Sequence, residues 1–288
     1  MVPLPEPKEY MTYRSISVHV DDAEPCDRRL AFAARLARAH SAELLGGYLV
    51  PTLELTPFTA ALLPGDVVDR RMGETADAQR SAEARFRAAA AQAGVASVEW
   101  RAPAGDPLAA AVLHARYADL AVIGQPSRDG PTEAFSAELA KAVVVSCGRP
   151  VLFVPYAGDY KNVGERVMIA WKDSRESARA VNDALPLLKG AKQVFAVVVT
   201  ADDENLHDRL AEAQFAAFLR RHQVEATVRR LALPDINAGE LLLSEAADFR
   251  ADLIVMGAYS RPRVSAFVWG SVTQLMLSSM TIPVLMSH

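Results

Sequence analysis

The sequence predicts two tandem α/β domains, each a doubly wound, five-stranded parallel sheet with helices on both faces. Three observations predict this fold class: the chain length, an internal repeat, and short apolar runs that alternate with helical patterns. A chain of 288 residues is longer than most single cores and suits two domains of ordinary size. With 51% hydrophobic and 23% charged residues, the composition is that of a folded globular protein.

The internal repeat consists of two matching segments. The residues ADLAVIGQPS at 118–127 match ADLIVMGAYS at 251–260, an offset of 133 residues (251 − 118). The same offset places PVL at 150–152 on PVL at 283–285, so this stretch aligns without a gap. Self-similarity of this kind indicates one fold used twice.

Strand and helix patterns alternate in the same order in both halves. In the first half, strands are predicted at 16–20, 44–50, 98–101, 120–124 and 151–154, and helices at 28–39, 75–93, 108–116 and 134–145. In the second half, strands are predicted at 167–171, 193–199, 226–231, 253–256 and 284–286, and helices at 176–188, 206–222, 239–249 and 272–279. Short, continuously apolar strands between helices are typical of a parallel sheet covered on both faces.

The domain boundary is predicted in residues 156–163, which have linker composition and no periodicity. The predicted domains are therefore 11–157 and 158–288. The first strands of the two halves lie 151 residues apart (167 − 16), so the first half contains 18 extra residues (151 − 133). We place this insertion at Pro51 to Arg71, where prolines punctuate an apolar stretch; its composition is compatible with covering a pocket or with enlarging an interface.

Composition and motifs argue against several classes of function. A net charge of −4, with no basic stripe, argues against nucleic acid as a partner. The two cysteines and six histidines have no disulfide-framework or metal-ligand spacing. Without a GxSxG elbow, an HExxH helix or a complete P-loop, a dedicated enzyme is not expected, although weak ATP hydrolysis stays open. The sequence shows neither a signal core nor a membrane-span pattern, so we expect a cytoplasmic location.

Candidate binding residues follow the first and fourth strands of each half, because open parallel sheets bind ligands where the strand order reverses. In the second half, Gly257-Ala258-Tyr259-Ser260 follows strand four, and the nine residues Arg261 to Trp269 lead to Gly270-Ser271-Val272 at a predicted helix start. Small residues and a helix N-terminus at these points suit an anion such as phosphate. On spacing alone, a turn glycine and a helix cap explain the pattern at least as well as a phosphate site does.

This pattern resembles the ATP-binding signature of the universal stress protein superfamily. That signature consists of Gly-x-x-Gly, nine residues, Gly-Ser/Thr, and a helix that leads to a Pro-Val-Leu strand. Residues 256–286 match it without insertion or deletion, with Ser260 in place of the second glycine. The resemblance implies two Rossmann-like domains of the adenine nucleotide alpha hydrolase type and a regulatory role in the stress response. It also implies ATP or another adenine nucleotide, with Mg, as the cofactor of the second domain. The site residues that it implies are Gly257, Ser260, Arg261, Gly270, Ser271, Val272, Asp173 and Lys172.

Each half departs from the family pattern in a different place. The family has an Asp at the end of strand one, where the second half has Lys172, followed by Asp173. Lys172 is then either a solvated lysine in a pocket that no longer binds a nucleotide, or a cation for a phosphate, with Asp173 making the polar contact. The first half retains Asp21, but the 133-residue offset puts Ala137 and Glu138 at the Gly270-Ser271 positions. We therefore predict that the first half does not bind ATP in the family manner.

The resemblance also implies pairing between domains through their last strands. We predict that strands 151–154 and 284–286 pair within one chain as an intramolecular pseudo-dimer, and a homodimer of whole chains is a further expectation. Three functional hypotheses follow: a regulatory nucleotide-binding module, a structural or interaction protein that has lost nucleotide binding, and a slow nucleotide hydrolase.

Overall fold

The computed structural model describes residues 12–51, 64–103, 105–127, 133–200, 206–232, 238–259 and 268–288. The first half contains β1 (Ser15–Val20), α1 (Cys26–His40), β2 (Glu43–Tyr48), α2 (Gly65–Ala93), β3 (Val98–Arg101), α3 (Pro107–Arg116), β4 (Leu120–Gly124), α4 (Glu133–Ser146) and β5 (Val151–Val154). The second half contains β6 (Arg166–Trp171), α5 (Arg175–Asp183), α6 (Leu185–Leu188), β7 (Gln193–Thr200), α7 (Leu206–Arg221), β8 (Ala226–Ala232), α8 (Ala238–Phe249), β9 (Leu253–Gly257), α9 (Val268–Ser279) and β10 (Val284–Ser287).

The strands form one ten-stranded sheet in the order β3-β2-β1-β4-β5-β10-β9-β6-β7-β8. Each half contributes a five-stranded parallel block, and the blocks meet where β5 and β10 pair antiparallel, with Leu285 opposite Leu152. The predicted α/β class is confirmed, as is the predicted pairing of the last strands. The two halves therefore form an intramolecular pseudo-dimer with one continuous sheet.

Two apolar clusters cover the two faces of this sheet. Along β5, Leu152 and Val154 belong to one cluster, whereas Val151 and Phe153 belong to the other. Successive side chains of a strand point to opposite faces, so the alternation shows that β5 is buried on both sides. The first cluster includes buried side chains of α1 and α2, and the second includes those of α3 and α4.

Two helices differ most from the predicted elements. α2 begins at Gly65 instead of Thr75, and no side chain of its first turns is buried, so the apolar periodicity used for the prediction is absent there. Residues 65–71 of the predicted insertion therefore belong to α2, and residues 52–63 lie outside the described part. The helix predicted at 176–188 is divided at Ala184, because Pro186 has no N–H to continue the backbone ladder.

Two further findings concern classes of site. Among the described residues, no helix combines the length and apolar character that a bilayer crossing requires. Within the same residues, His, Cys, Asp and Glu side chains form no group of three that could hold a metal ion.

Candidate ligand sites

Each half has one point where the strand order reverses, between its first and fourth strands. In the first half β1 pairs with β4, with Val18 opposite Val122. In the second half β6 pairs with β9, with Ala170 opposite Met256. The residues that follow these strands therefore lie side by side at the carboxyl edge of the sheet, where doubly wound folds bind ligands.

In the C-terminal half, Gly257 ends β9 directly against the first turn of α5. A Cβ atom at Gly257 would lie 2.6 Å from the backbone N of Ser177 and 2.7 Å from the carbonyl C of Glu176. Only a residue without a side chain permits this approach of strand and helix. The Ser174 hydroxyl caps α5 by accepting a hydrogen bond from Ser177 N at 3.2 Å.

Opposite charges lie beside this contact. Lys172 follows β6 and is half-buried; burial lowers its pKa, while the nearby Glu176 carboxylate acts in the opposite direction. Glu176 is only 5% exposed, and Arg175 Nε donates to its Oε1 at 2.6 Å. Burial alone would raise the pKa of Glu176, but hydrogen bonds from Arg175, from its own backbone and from Ser174 lower it below its ordinary value. Glu176 is therefore an ionised carboxylate at the start of α5.

The chain after β9 is tied to two neighbouring elements. Ala258 N donates to Ser287 O at 2.9 Å, and Tyr259 N donates to Thr273 Oγ1 at 3.1 Å. These bonds bring the end of β9 against β10 and against α9. The described part of α9 begins at Val268, so Gly270 and Ser271 lie in its first turn.

The structure brings some of the predicted site residues together and leaves others apart. Lys172 and Gly257 lie at the ends of the neighbouring strands β6 and β9, and the Val272 side chain is buried in the core. Asp173 is exposed and borders a groove of about 660 Å³ between α5 and α7. That groove is largely apolar and is lined by the stacked rings of Trp171 and Phe215, 4.0 Å apart. Ser260 and Arg261 lie outside the described residues.

A larger pocket, of about 790 Å³, lies at the carboxyl edge of the N-terminal half. Its walls are mostly apolar, and its inner end is polar. The apolar wall includes Val50, Pro51, Ile123, Phe135, Leu139 and Val154. A volume of this size is typical of small-molecule sites.

The polar end of the pocket is organised around a buried ion pair. Arg29 is 4% exposed, and its Nη2 lies 2.9 Å from Asp21 Oδ2, while its Nε donates to the His19 carbonyl oxygen at 2.8 Å. Burial alone would raise the pKa of Asp21, but Arg29 and His19 lower it below its ordinary value. The Arg29 guanidinium also packs on Gly124, where an added Cβ would overlap Nη1. Asp21 and Arg29 thus close the floor of the pocket at the ends of β1 and β4.

His19 completes this end of the pocket. Its Nε2 lies 2.8 Å from the carbonyl oxygen of Leu49, which can only accept, so Nε2 carries the proton. Its Nδ1 lies 3.5 Å from Asp21 Oδ2. Burial lowers the pKa of His19, against the opposing effect of Asp21, and the ring is therefore neutral near pH 7. Neutral His19 presents the lone pair of Nδ1 beside the carboxylate.

Asp21 stands at a position predicted from the sequence, whereas Arg29 and Glu176 were not predicted. A signal for Arg29 was present, because Arg29, Ala33 and Leu36 share the buried stripe of α1 at helical spacing. Glu138, which the offset placed at the phosphate position, is exposed on α4 and is not among the residues that line the pocket. The charged side chains among the described lining residues are instead those of Asp21, Asp22 and Arg29.

Comparisons with known proteins agree with this architecture. Residues 12–155 and 164–288 each match the model of the universal stress protein family. A universal stress protein from Archaeoglobus fulgidus DSM 4304 is similar over 97% of each chain, with a TM-score of 0.71 and 15% identity. A functionally unknown protein from Pseudomonas aeruginosa PAO1 covers 96% of this chain and 93% of its own, with a TM-score of 0.53 and 15% identity. At 15% identity, this structural similarity shows a shared fold and nothing finer.

A further solved structure, a universal stress protein in complex with cAMP, covers 51% of this chain and 99% of its own, with 23% identity and a TM-score of 0.33. That likeness is too partial to bear on the ligand of this chain. None of the curated proteins matches the chain significantly.

Proposed function

Because the chain belongs to the universal stress protein family, with two such domains in tandem, we propose that it is a regulatory binding protein whose C-terminal domain holds an adenine nucleotide. The proposed site lies at the carboxyl ends of β6 and β9. The observation that carries the proposal is the contact of Gly257 with the first turn of α5, at the point where the strand order reverses. This contact brings the first turn of α5 against the end of β9, where the proposed site lies.

Two helix starts supply the positive partial charge that a phosphate needs. α5 begins beside Gly257, and α9 carries Gly270 and Ser271 in the first turn of its described part. The bond from Tyr259 N to Thr273 holds α9 against the end of β9. Backbone N–H groups at helix N-termini bind anions, and glycine allows the ligand to approach them. Lys172, which is half-buried beside them, adds a full charge to the proposed site.

A second candidate function, an interaction protein that binds no nucleotide, is favoured by Glu176. Its ionised carboxylate lies at the start of α5, where a phosphate would gain most from the helix N-terminus. Two like charges at one helix start repel each other. Nucleotide binding therefore requires the phosphates to lie nearer α9 than α5.

Calorimetric titration of the nucleotide-stripped protein with ATP and AMP, in the presence of Mg²⁺, separates the two candidates. We expect about one nucleotide per chain, and loss of binding in Gly270→Glu, which adds a carboxylate to the first turn of α9. The matched control is Ala137→Glu, because Ala137 occupies the corresponding position of the N-terminal half and is exposed. This control should bind as the wild type does.

Three other outcomes would count against the proposal. No heat and no shift in melting temperature with either nucleotide would favour the interaction protein. Binding that survives Gly270→Glu but is lost in Ala137→Glu would place the nucleotide in the N-terminal domain. Binding that is lost in both variants, with both folded, would mean that the site is not the one proposed here.

A further inference from the structure

The N-terminal pocket is a feature of the described residues that the proposed function does not use. It lies beyond the ends of β1, β4 and β5 and has a volume of about 790 Å³. The sequence predicts no nucleotide of the family type in this half, so the pocket has no assigned ligand. Its lining residues specify a different chemistry.

The charges of the lining residues disfavour an anion. Asp21 and Asp22 contribute two carboxylates, whereas Arg29 is the only Lys or Arg among the described residues that line the pocket. Arg29 is buried, and it is already committed to Asp21 and to the His19 carbonyl group. Arg85, which is not among the lining residues, pairs with Asp22, its Nη2 lying 3.5 Å from Oδ1. A phosphate or sulfonate would therefore have to displace a carboxylate from Arg29 or Arg85, or lie beside the carboxylates without a cation of its own.

The polar end offers acceptors to a ligand. The Asp21 carboxylate accepts from Ala23 N and is about one-fifth exposed, so part of it faces the pocket. His19 Nδ1 presents a lone pair beside it, because Nε2 donates to Leu49 O. A ligand that donates an N–H or O–H group satisfies these acceptors, whereas a ligand with only acceptors leaves them unpaired.

The walls are suited to an apolar body. Ile123, Leu139 and Val154 are buried lining residues, and Val50 and Phe135 line the pocket while remaining partly exposed. Burying a ligand against such side chains releases water from apolar surface and provides most of the binding free energy.

We propose that the N-terminal pocket is a second ligand site of this chain, which takes an uncharged, largely apolar small molecule that carries a hydrogen-bond donor. The site is separate from the nucleotide site proposed for the C-terminal domain and does not require it. The two proposals thus assign an anionic ligand to the carboxyl edge of the C-terminal half and an uncharged, largely apolar ligand to the carboxyl edge of the N-terminal half.

Three related probes test the proposal on the full-length protein. N-phenylnaphthylamine is uncharged and carries one N–H donor, anilinonaphthalene sulfonate adds a sulfonate to the same skeleton, and phenyl naphthyl ether replaces the N–H by oxygen. Fluorescence titration measures the first two, and displacement of the amine measures the ether. We expect one amine per chain, with the sulfonate and the ether each bound about tenfold more weakly.

Matched variants locate the probe. Ala23 borders the N-terminal pocket and Ala178 borders the groove between α5 and α7, and both are exposed. Ala23→Trp should abolish amine binding, and Ala178→Trp should leave it unchanged. Pro51→Trp, at another exposed part of the pocket wall, repeats the test if Ala23→Trp perturbs folding.

The proposal is overturned if the amine is lost in Ala178→Trp and kept in Ala23→Trp, because the probe then occupies the groove. It is also overturned if no amine binds, or if the sulfonate or the ether binds as tightly as the amine. ATP titration of Ala23→Trp keeps the two proposals apart. Nucleotide binding should be unchanged there, and failure of nucleotide binding in the wild type leaves the amine result unaffected.

Discussion

The buried pair formed by Asp21 and Arg29 provides the sharpest test of the structure. Asp21→Asn preserves the shape of the side chain but removes its charge, which leaves the guanidinium of Arg29, 4% exposed, without its counter-ion. Removing one partner of a fully buried ion pair costs about 3–5 kcal/mol. Because the Asp21 side chain is 21% exposed and therefore partly screened, we expect a smaller loss of unfolding free energy, about 2–3 kcal/mol.

Urea unfolding followed by circular dichroism measures this loss, and two further variants interpret it. Asp173→Asn removes an exposed carboxylate after β6 and should change the unfolding free energy by less than about 0.5 kcal/mol. Adding Arg29→Met to Asp21→Asn removes the unpaired cation, so the double variant should regain most of the loss. The reasoning would be refuted if Asp21→Asn were as stable as Asp173→Asn, or if the double variant were no more stable than the single one.

Acid titration gives an independent check on the same pair. The pKa of Asp21 is lower in the folded protein than in the unfolded chain. The ionised Asp21 therefore stabilises the folded protein above pH ~4, and this stabilisation is lost as the pH falls through the pKa that Asp21 has in the folded protein. Asp21→Asn should lack this component of acid destabilisation. An unchanged pH profile below pH ~4 would show that Asp21 is not held in the ionised form by Arg29.

Three further predictions concern other parts of the chain. Burial lowers the pKa of His114 to about 4 in the folded protein, so the unfolded chain takes up a proton at this residue at a higher pH than the folded protein does. The free energy of unfolding should therefore fall by about 3 kcal/mol as the pH drops from ~6.5 towards ~4. Urea unfolding at several pH values should show this loss in the wild type and not in His114→Leu. Gly257→Ala should lower the free energy of unfolding by about 1–3 kcal/mol, because the added Cβ would overlap the backbone of α5. Gly73→Ala, in an open part of α2, should raise it by about 0.5–1 kcal/mol in the same assay. Phosphate release from ATP should not exceed the buffer rate; release that disappears in Gly270→Glu would instead identify a slow hydrolase.

The amino-acid sequence by itself determined the fold class, the repeat and most of the helices and strands. Strands β4 and β5 lie at the predicted residues, because a strand buried on both faces is a continuous apolar run bounded by polar residues. The matching PVL segments likewise marked the two last strands, which pair at the centre of the sheet. These features are local, and a local pattern specifies them.

The chemistry of the two carboxyl edges was decided by contacts between residues far apart in the chain. Arg28 and Arg29 are adjacent in sequence, yet Arg29 packs over Gly124 and pairs with Asp21, whereas Arg28 lies at the surface. Glu176, in the first turn of α5, packs against Gly257, which lies at the end of β9 and far away in the sequence. Only the tertiary structure shows which side chains are removed from water and what faces them, and these two conditions set the charge that a ligand meets.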